Sequence, residues 1–316
     1  MSPNITAQIN YLLKITDNVG LIEHCRLDEP NYTEGYCVDD NARALQVCLR
    51  LKSQFSVLES VFPIYFNFLK SAIKKDGLYN DLNHDKSWQK TFEKNGEHLG
   101  RALAALGEAN SSHLFDQIYL SVNTKTSHHL RTFAQIILGL QYYRSQDIKL
   151  FADLLVSAYL KEKTLSWNWF ESEFSHDNAR LPLALLIAFQ VTPNPQYLKI
   201  ALKSLDFLTQ KTFDNLLHCF VFPIDKNFFG QQPIEAGSLV EVYVKAFQIT
   251  QNSKYKSLAL TAFDWYHGQN ILKVSLINPK TGGIYDGLEK NGVNLNQGAE
   301  SVLSYLLAYH ALQQLG

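Results

Sequence analysis

Asp177-Asn178-Ala179-Arg180-Leu181-Pro182-Leu183-Ala184-Leu185-Leu186 reads as a polar mouth feeding a helix that is apolar on every side. A helix apolar all round is buried all round. The same tetrapeptide recurs in Gly35-Tyr36-Cys37-Val38-Asp39-Asp40-Asn41-Ala42-Arg43-Ala44-Leu45, and a third run of small apolar residues is Arg101-Ala102-Leu103-Ala104-Ala105-Leu106. Between such stretches lie amphipathic ones with lysine on the outer face, as in Tyr197-Leu198-Lys199-Ile200-Ala201-Leu202-Lys203. An aspartate at a helix start needs no function, because it caps free N–H groups and suits the positive end of the dipole. Two copies of Asp-Asn-Ala-Arg at matching places suggest a repeated element whose helix mouths face one site.

The 3.6-residue period predicts about twelve helices. They fall over 3–17, 39–53, 58–74, 97–109, 113–122, 127–143, 146–161, 177–190, 194–212, 234–250, 253–272 and 297–315, with a hairpin at 76–81 and a strand-like stretch at 215–224. The even-numbered helices are the all-round apolar ones. Alternation of outer and inner helices, six of each, predicts an all-α closed double ring, the (α/α)6 barrel, as one domain over 1–316. In such a ring the inner helices run parallel and their N-termini open at one end. The loops entering them are the long polar ones, 18–38, 75–96, 162–176, 213–233 and 273–296, and are expected to carry the chemistry.

Composition excludes several classes. The chain has 316 residues, 46% hydrophobic and 19% charged, with a net charge of −1, so nothing marks it as a nucleic-acid binder. No apolar run is long enough to span a bilayer. The start shows no basic region followed by an apolar one, and Cys25, Cys37, Cys48 and Cys219 form no zinc spacing, so a cytoplasmic protein with reduced thiols is expected. His98, His128, His129 and His176 show no ligand spacing, and neither a metal nor another cofactor is expected. A nucleophile elbow and a phosphate-cradling glycine loop are both missing.

The predicted mouths of the inner helices collect Asp39, Asp40, Asn41 and Arg43; Glu97, His98 and Arg101; His128, His129 and Arg131; Asp177, Asn178 and Arg180; Glu235; and Glu300. A second echo joins Gln232-Pro233-Ile234-Glu235 to Gln297-Gly298-Ala299-Glu300. Acids on five of six mouths exceed what capping requires, since Ser, Thr or Asn cap as well. Two carboxyl groups in one pocket, one protonated and one ionised, are the equipment of glycoside chemistry. Asp40 and Asp177 form the expected central pair, with Glu171, Glu235 and Glu300 as further acid/base candidates. Trp167 and Trp169 could stack on a sugar ring or plug the loop. Tyr36, Gln232, Asp286, Asn296 and Gln297 could bond hydroxyls, although several are also ordinary turn formers.

Four of these motifs together (Gly35–Leu45, Trp169–Leu185, Gln231–Ala236 and Asn294–Leu306) resemble an uncharacterised bacterial family that looks like the six-hairpin glycosidases. Its members often follow a retaining glycosyltransferase domain or stand alone. The resemblance runs over nearly the whole chain and implies the (α/α)6 fold and carbohydrate metabolism, with no assigned catalytic pair. The sequence departs from that pattern at Glu97-His98, where Glu-Asp is expected, and at Ser127-His128-His129, where Ser-Pro-Arg is expected. It carries no nucleotide-sugar-binding α/β domain, so it is not itself such a transferase. The expected function is hydrolase-like action on an oligosaccharide or glycoside. The rivals are a non-catalytic glycan-binding partner of a glycosyltransferase and a sugar isomerase or epimerase, the last wanting paired histidines.

Overall fold

The computed structural model describes residues 4–75, 77–89, 96–122, 129–214, 219–220 and 229–316. The predicted positions at His128 and over 215–218 and 221–224 lie outside the described residues. Twelve α-helices are described: α1 (Thr6–Lys14), α2 (Val38–Leu51), α3 (Leu58–Ala72), α4 (Glu97–Glu108), α5 (Ser112–Tyr119), α6 (Leu130–Leu140), α7 (Ile148–Glu162), α8 (Arg180–Val191), α9 (Pro195–Thr212), α10 (Pro233–Thr250), α11 (Ser253–Asp264) and α12 (Ala299–Leu312).

The even helices close a ring, each packing on the next, with α12 returning to α2. Outside it α3, α5, α7, α9 and α11 each pack on the preceding inner helix, and α1 packs on α12. Burial follows the composition. Every residue of α8 from Arg180 to Ala188 is buried, whereas α9 buries one face and turns its lysines outward. Local signals start the outer helices: Asn194 accepts from the Gln196 amide with Pro195 in the first turn, and Asn252 accepts from the Lys254 amide.

Glycine sets the closest helix pair. A Cβ on Gly107 of α4 would lie 2.4 Å from the Gly139 oxygen of α6, and one on Gly139 would lie 2.4 Å from the Leu103 oxygen. Side chains there would force the two backbones apart.

Short antiparallel pairs decorate the loops that enter the inner helices. Ile73–Lys74 pairs with Gly77–Leu78, Tyr36–Cys37 with Asp81–Leu82, and Gly287–Glu289 with Gly292–Asn294. The described part of the strand-like stretch, Cys219–Phe220, pairs with Phe213–Asp214. Helix boundaries differ from the periodic expectation at two functional places. Asp177 has φ +46°, which delays the start of α8 to Arg180. After Asp264 the chain tightens into a 3-10 turn over Trp265–His267 and leaves it at Gly268, with φ +95°, so the eleventh helix ends well before residue 272. None of the described helices is long and apolar enough to cross a membrane.

Candidate active site

Because the inner helices run parallel, their first turns meet at one end. There they enclose a cavity of about 620 Å³. Its wall includes Asp39, Asp40, Arg43, Glu97, Arg101, Gln232, Asp286 and Glu300 from the expected set. It also includes His98 and His129 from the expected mouths, and Glu23, His24, Cys37, Asn80, His176, Asn294 and Ser301.

Arginines from the inner helices organise the acids. Arg43 of α2 donates to Asp40 Oδ1 at 2.6 Å and to Glu300 Oε2 at 3.0 Å, tying α2 to α12. Arg101 of α4 lies 3.1 Å from Asp39, 3.2 Å from Glu97 and 3.7 Å from Asp177. The angle at Asp39 leaves Asp39 Oδ1 and Arg101 Nε attracted but not hydrogen-bonded. Arg131 of α6 holds Glu171 through two parallel bonds of 3.0 Å and donates to the His176 carbonyl. Arg180 of α8 reaches both Asp177 oxygens, at 3.3 and 3.2 Å, and donates to Glu241 of α10 at 2.6 Å.

These contacts split the protonation states. Glu23 is pushed up to about 8 by burial and by the nearby charges of Asp40, Asp81 and Asp39. One oxygen or sulfur atom from each of Glu23, Cys37 and Asp40 lies within 4.8 Å of the other two. Burial raises Asp40 as well, against the pull of Arg43. Burial also works against ionisation of Glu97, but His176 at 3.0 Å and Arg101 hold it down at about 2. His176 is raised in turn by Glu97. Asp177 is wholly buried, yet Arg180 and Arg101 keep it ionised, at about 2. Glu235 is buried, accepts from Asn178 at 3.4 Å and leaves its other oxygen without a partner. Burial and the charge of Asp177 raise it to about 7.

The expected residues thus divide. Asp40 and Glu300 share the cavity wall and one arginine. Asp177 and Glu235 belong to the same end of the ring but sit behind the wall, so Asp40 and Asp177 do not face each other across the cavity. Glu171 is neutralised by Arg131 away from it. The expected indole platform is absent. Trp169 is buried against Phe170 and Phe174, while Trp167 packs on Phe174 and Phe207 and donates to the Glu171 carbonyl at 2.7 Å; neither lines the cavity. Clustered rings gain more by packing together under the loop than by facing water.

Several hydroxyl-binding candidates hold loops instead. Tyr36 donates to Asp17 at 2.7 Å, Asn296 accepts from the Leu27 amide at 3.0 Å, and Gln297 accepts from Thr281 at 2.8 Å. Asp286 lines the cavity while accepting from the Gly298 amide and the Ser301 hydroxyl, both at 2.6 Å, at the mouth of α12. Asn41 and Asn178 are braces. Asn41 binds the Leu21 amide at 2.9 Å and the Cys37 carbonyl at 2.8 Å; Asn178 binds the Ser175 amide and carbonyl at 3.1 and 3.0 Å.

Glu23 and His24 were missed because they sit singly in the 18–38 loop, with no repeat or helix mouth to flag them. Their one signal was membership of a long polar loop entering an inner helix.

The sequence matches no family model, and a search of curated proteins finds no relative. Solved structures match over nearly the whole chain. A cellobiose 2-epimerase from Bacillus thermoamylovorans superposes with a TM-score of 0.75 at 13% identity, over 96% of this chain and 94% of its own. A D-mannose isomerase gives 0.73 at 12%, over 98% and 96%. The fold is the (α/α)6 barrel. A third match is an inactive variant of the α-1,6-mannanase GH76A from Salegentibacter sp., with two consecutive aspartates changed to asparagine and α-1,6-mannotriose bound. It gives 0.65 at 11% identity, over 98% of each chain. Identities this low speak for the fold alone, and the chemistry has to be argued from the cavity.

Proposed function

We propose that this chain is a carbohydrate-active enzyme that hydrolyses a glycosidic bond in the cavity at the inner-helix mouths. One observation carries the reading: a single wall holds a carboxyl kept protonated at neutral pH, Glu23, and one kept ionised by His176 and Arg101, Glu97. Groups whose environments push their protonation apart are the acid and base of such a reaction. Glu23 is the proton donor to the leaving oxygen. Asp39, its side chain 26% exposed beside Arg101, is the base or nucleophile, and burial together with the nearby charge of Asp40 keeps Glu23 protonated. Glu300, side chain 43% exposed, is the alternative base. Consecutive aspartates stand at the mouth of α2, and the mannanase variant changed at two consecutive aspartates is inactive.

A second reading is sugar isomerisation or epimerisation. It is favoured by His24, His98, His129 and His176, which all line the cavity, since moving a proton between neighbouring sugar carbons suits imidazoles. The barrels of a cellobiose 2-epimerase and a D-mannose isomerase superpose on this one.

One experiment separates the two. Manno- and gluco-disaccharides are incubated with the protein in water enriched in oxygen-18 and, separately, in deuterium oxide. Hydrolysis puts the heavy oxygen on the anomeric carbon of the product. Isomerisation or epimerisation puts deuterium on C1 or C2 with the disaccharide intact. Absence of either label across the panel would sink the enzyme reading. On the sequence resemblance alone we also propose a glycosyltransferase as partner, which co-purification of the two proteins would test.

A further inference from the structure

The cavity wall is short of hydrogen-bond donors on one side. Six carboxyl groups line it (Glu23, Asp39, Asp40, Glu97, Asp286, Glu300) against two guanidinium groups, Arg43 and Arg101, and four imidazoles, of which His24 lies 3.5 Å from Glu23 and His176 3.0 Å from Glu97. The shortage centres on Asp40, which is 3% exposed. Its Oδ1 has Arg43, but the donor for Oδ2 is the Cys37 thiol at 3.4 Å, a weak one. Neighbouring Asn80 leaves its buried Oδ1 with no partner, and Asp39 Oδ1 has no hydrogen bond. Buried acceptors of this kind are costly unless a donor reaches them.

We infer that the cavity selects amino sugars: a ligand ammonium docks against Asp39, Asp40 and Asn80, whose oxygens lack strong donors, and sugars carrying a carboxylate or phosphate are rejected. An ammonium brings three N–H donors and the charge that the wall lacks. The inference rests on the carbohydrate reading above and adds the charge class of the substrate.

The test is titration calorimetry of the full chain with mannosamine, mannose and mannuronate, and with the corresponding gluco-sugars, at slightly acid pH where the sugar amine is itself charged. The amine should bind about tenfold tighter than the neutral sugar, the scale of one desolvated charge pair. The uronate should bind more weakly than both, and the amine's advantage should shrink with added salt. Asn80→Ala should shrink the amine's advantage, and Asp39→Asn, which should cost the amine more affinity than the neutral sugar, serves if that variant misfolds. Equal binding of all three sugars overturns the inference and spares the proposed function. Binding of none overturns both. A thermal shift with zinc or calcium but no amine preference would assign the cluster to a metal instead and overturn the amine reading.

Discussion

Glu23 carries the proposed chemistry because its surroundings oppose its charge. An ordinary glutamate titrates near 4.5, and this one is pushed up to about 8. Between those values the folded chain holds a proton that the unfolded chain has released. The stability associated with Glu23 is therefore full below the ordinary value and is lost as pH rises through about 8. Glu97 and Asp177, both at about 2, act in the opposite sense. Their contribution is present above ordinary carboxylate values and is lost as pH falls through about 2. Two outcomes follow for Glu23→Gln. Turnover should fall by about 10²- to 10⁴-fold with KM little changed, the usual worth of a positioned acid. Urea midpoints at about pH 5 and about pH 8 should also lie closer together than in the wild type. In the wild type, kcat should decline on the alkaline side as Glu23 ionises. An alkaline limb unchanged by the substitution would take the acid role away from Glu23.

The repeated tetrapeptide is best understood as an element. In both copies the arginine bonds the aspartate three residues before it, and the asparagine ties the preceding loop to the helix mouth. The copies differ in backbone. Asp40 lies in the first turn of α2, whereas Asp177 stands outside α8 in the left-handed region, where Asp and Asn are tolerated better than most residues. Asp177→Asn keeps that backbone and removes the charge facing Arg180 and Arg101. Breaking a buried pair this way should cost about 3–5 kcal/mol, measured by urea denaturation. A loss under about 1 kcal/mol combined with lost turnover would return Asp177 to the chemistry. The α4–α6 pair gives an independent test. Gly107→Ala places a methyl group 2.4 Å from a backbone oxygen and should destabilise the chain by about 1–3 kcal/mol in the same assay.

Across the whole molecule, a chain of ion pairs runs through the ring from the cavity towards the far ends of the inner helices. Asp177 pairs with Arg180, Arg180 with Glu241, Glu241 with Arg50 at 3.2 Å, and Arg50 with Glu108 at 2.7 and 2.9 Å. It crosses α8, α10, α2 and α4, so it stitches together helices that are otherwise joined by apolar packing. Glu241 has the middle position and faces two guanidinium groups. Glu241→Ala should take one of two carboxylate partners from each guanidinium, leaving Asp177 on Arg180 and Glu108 on Arg50, and cost about 1.5–3 kcal/mol, seen as a lower midpoint in urea. Glu241→Gln, which keeps an acceptor for one arginine, should cost less. Equal losses from the two variants would mean that charge, rather than hydrogen bonding, decides the contact.

Helices such as α8 and α12 have no polar face to offer water, so their burial, and with it the double ring, follows from composition alone. Arginine and acid at the helix mouths were legible for the same reason, since a charge on an otherwise apolar helix must find a partner at its end. The division of labour among those charges was not legible. Whether a carboxyl group faces the cavity or an arginine behind it depends on helix rotation and on side-chain reach. That is why Asp177, Glu235 and Glu171 fell behind the wall while Asp39 and Glu300 stayed on it. Loop residues were hidden more completely: nothing in the sequence around Glu23 separates it from any solvated acid. Its altered protonation exists only because folding brings Asp40, Asp81 and Asp39 beside it and takes water away.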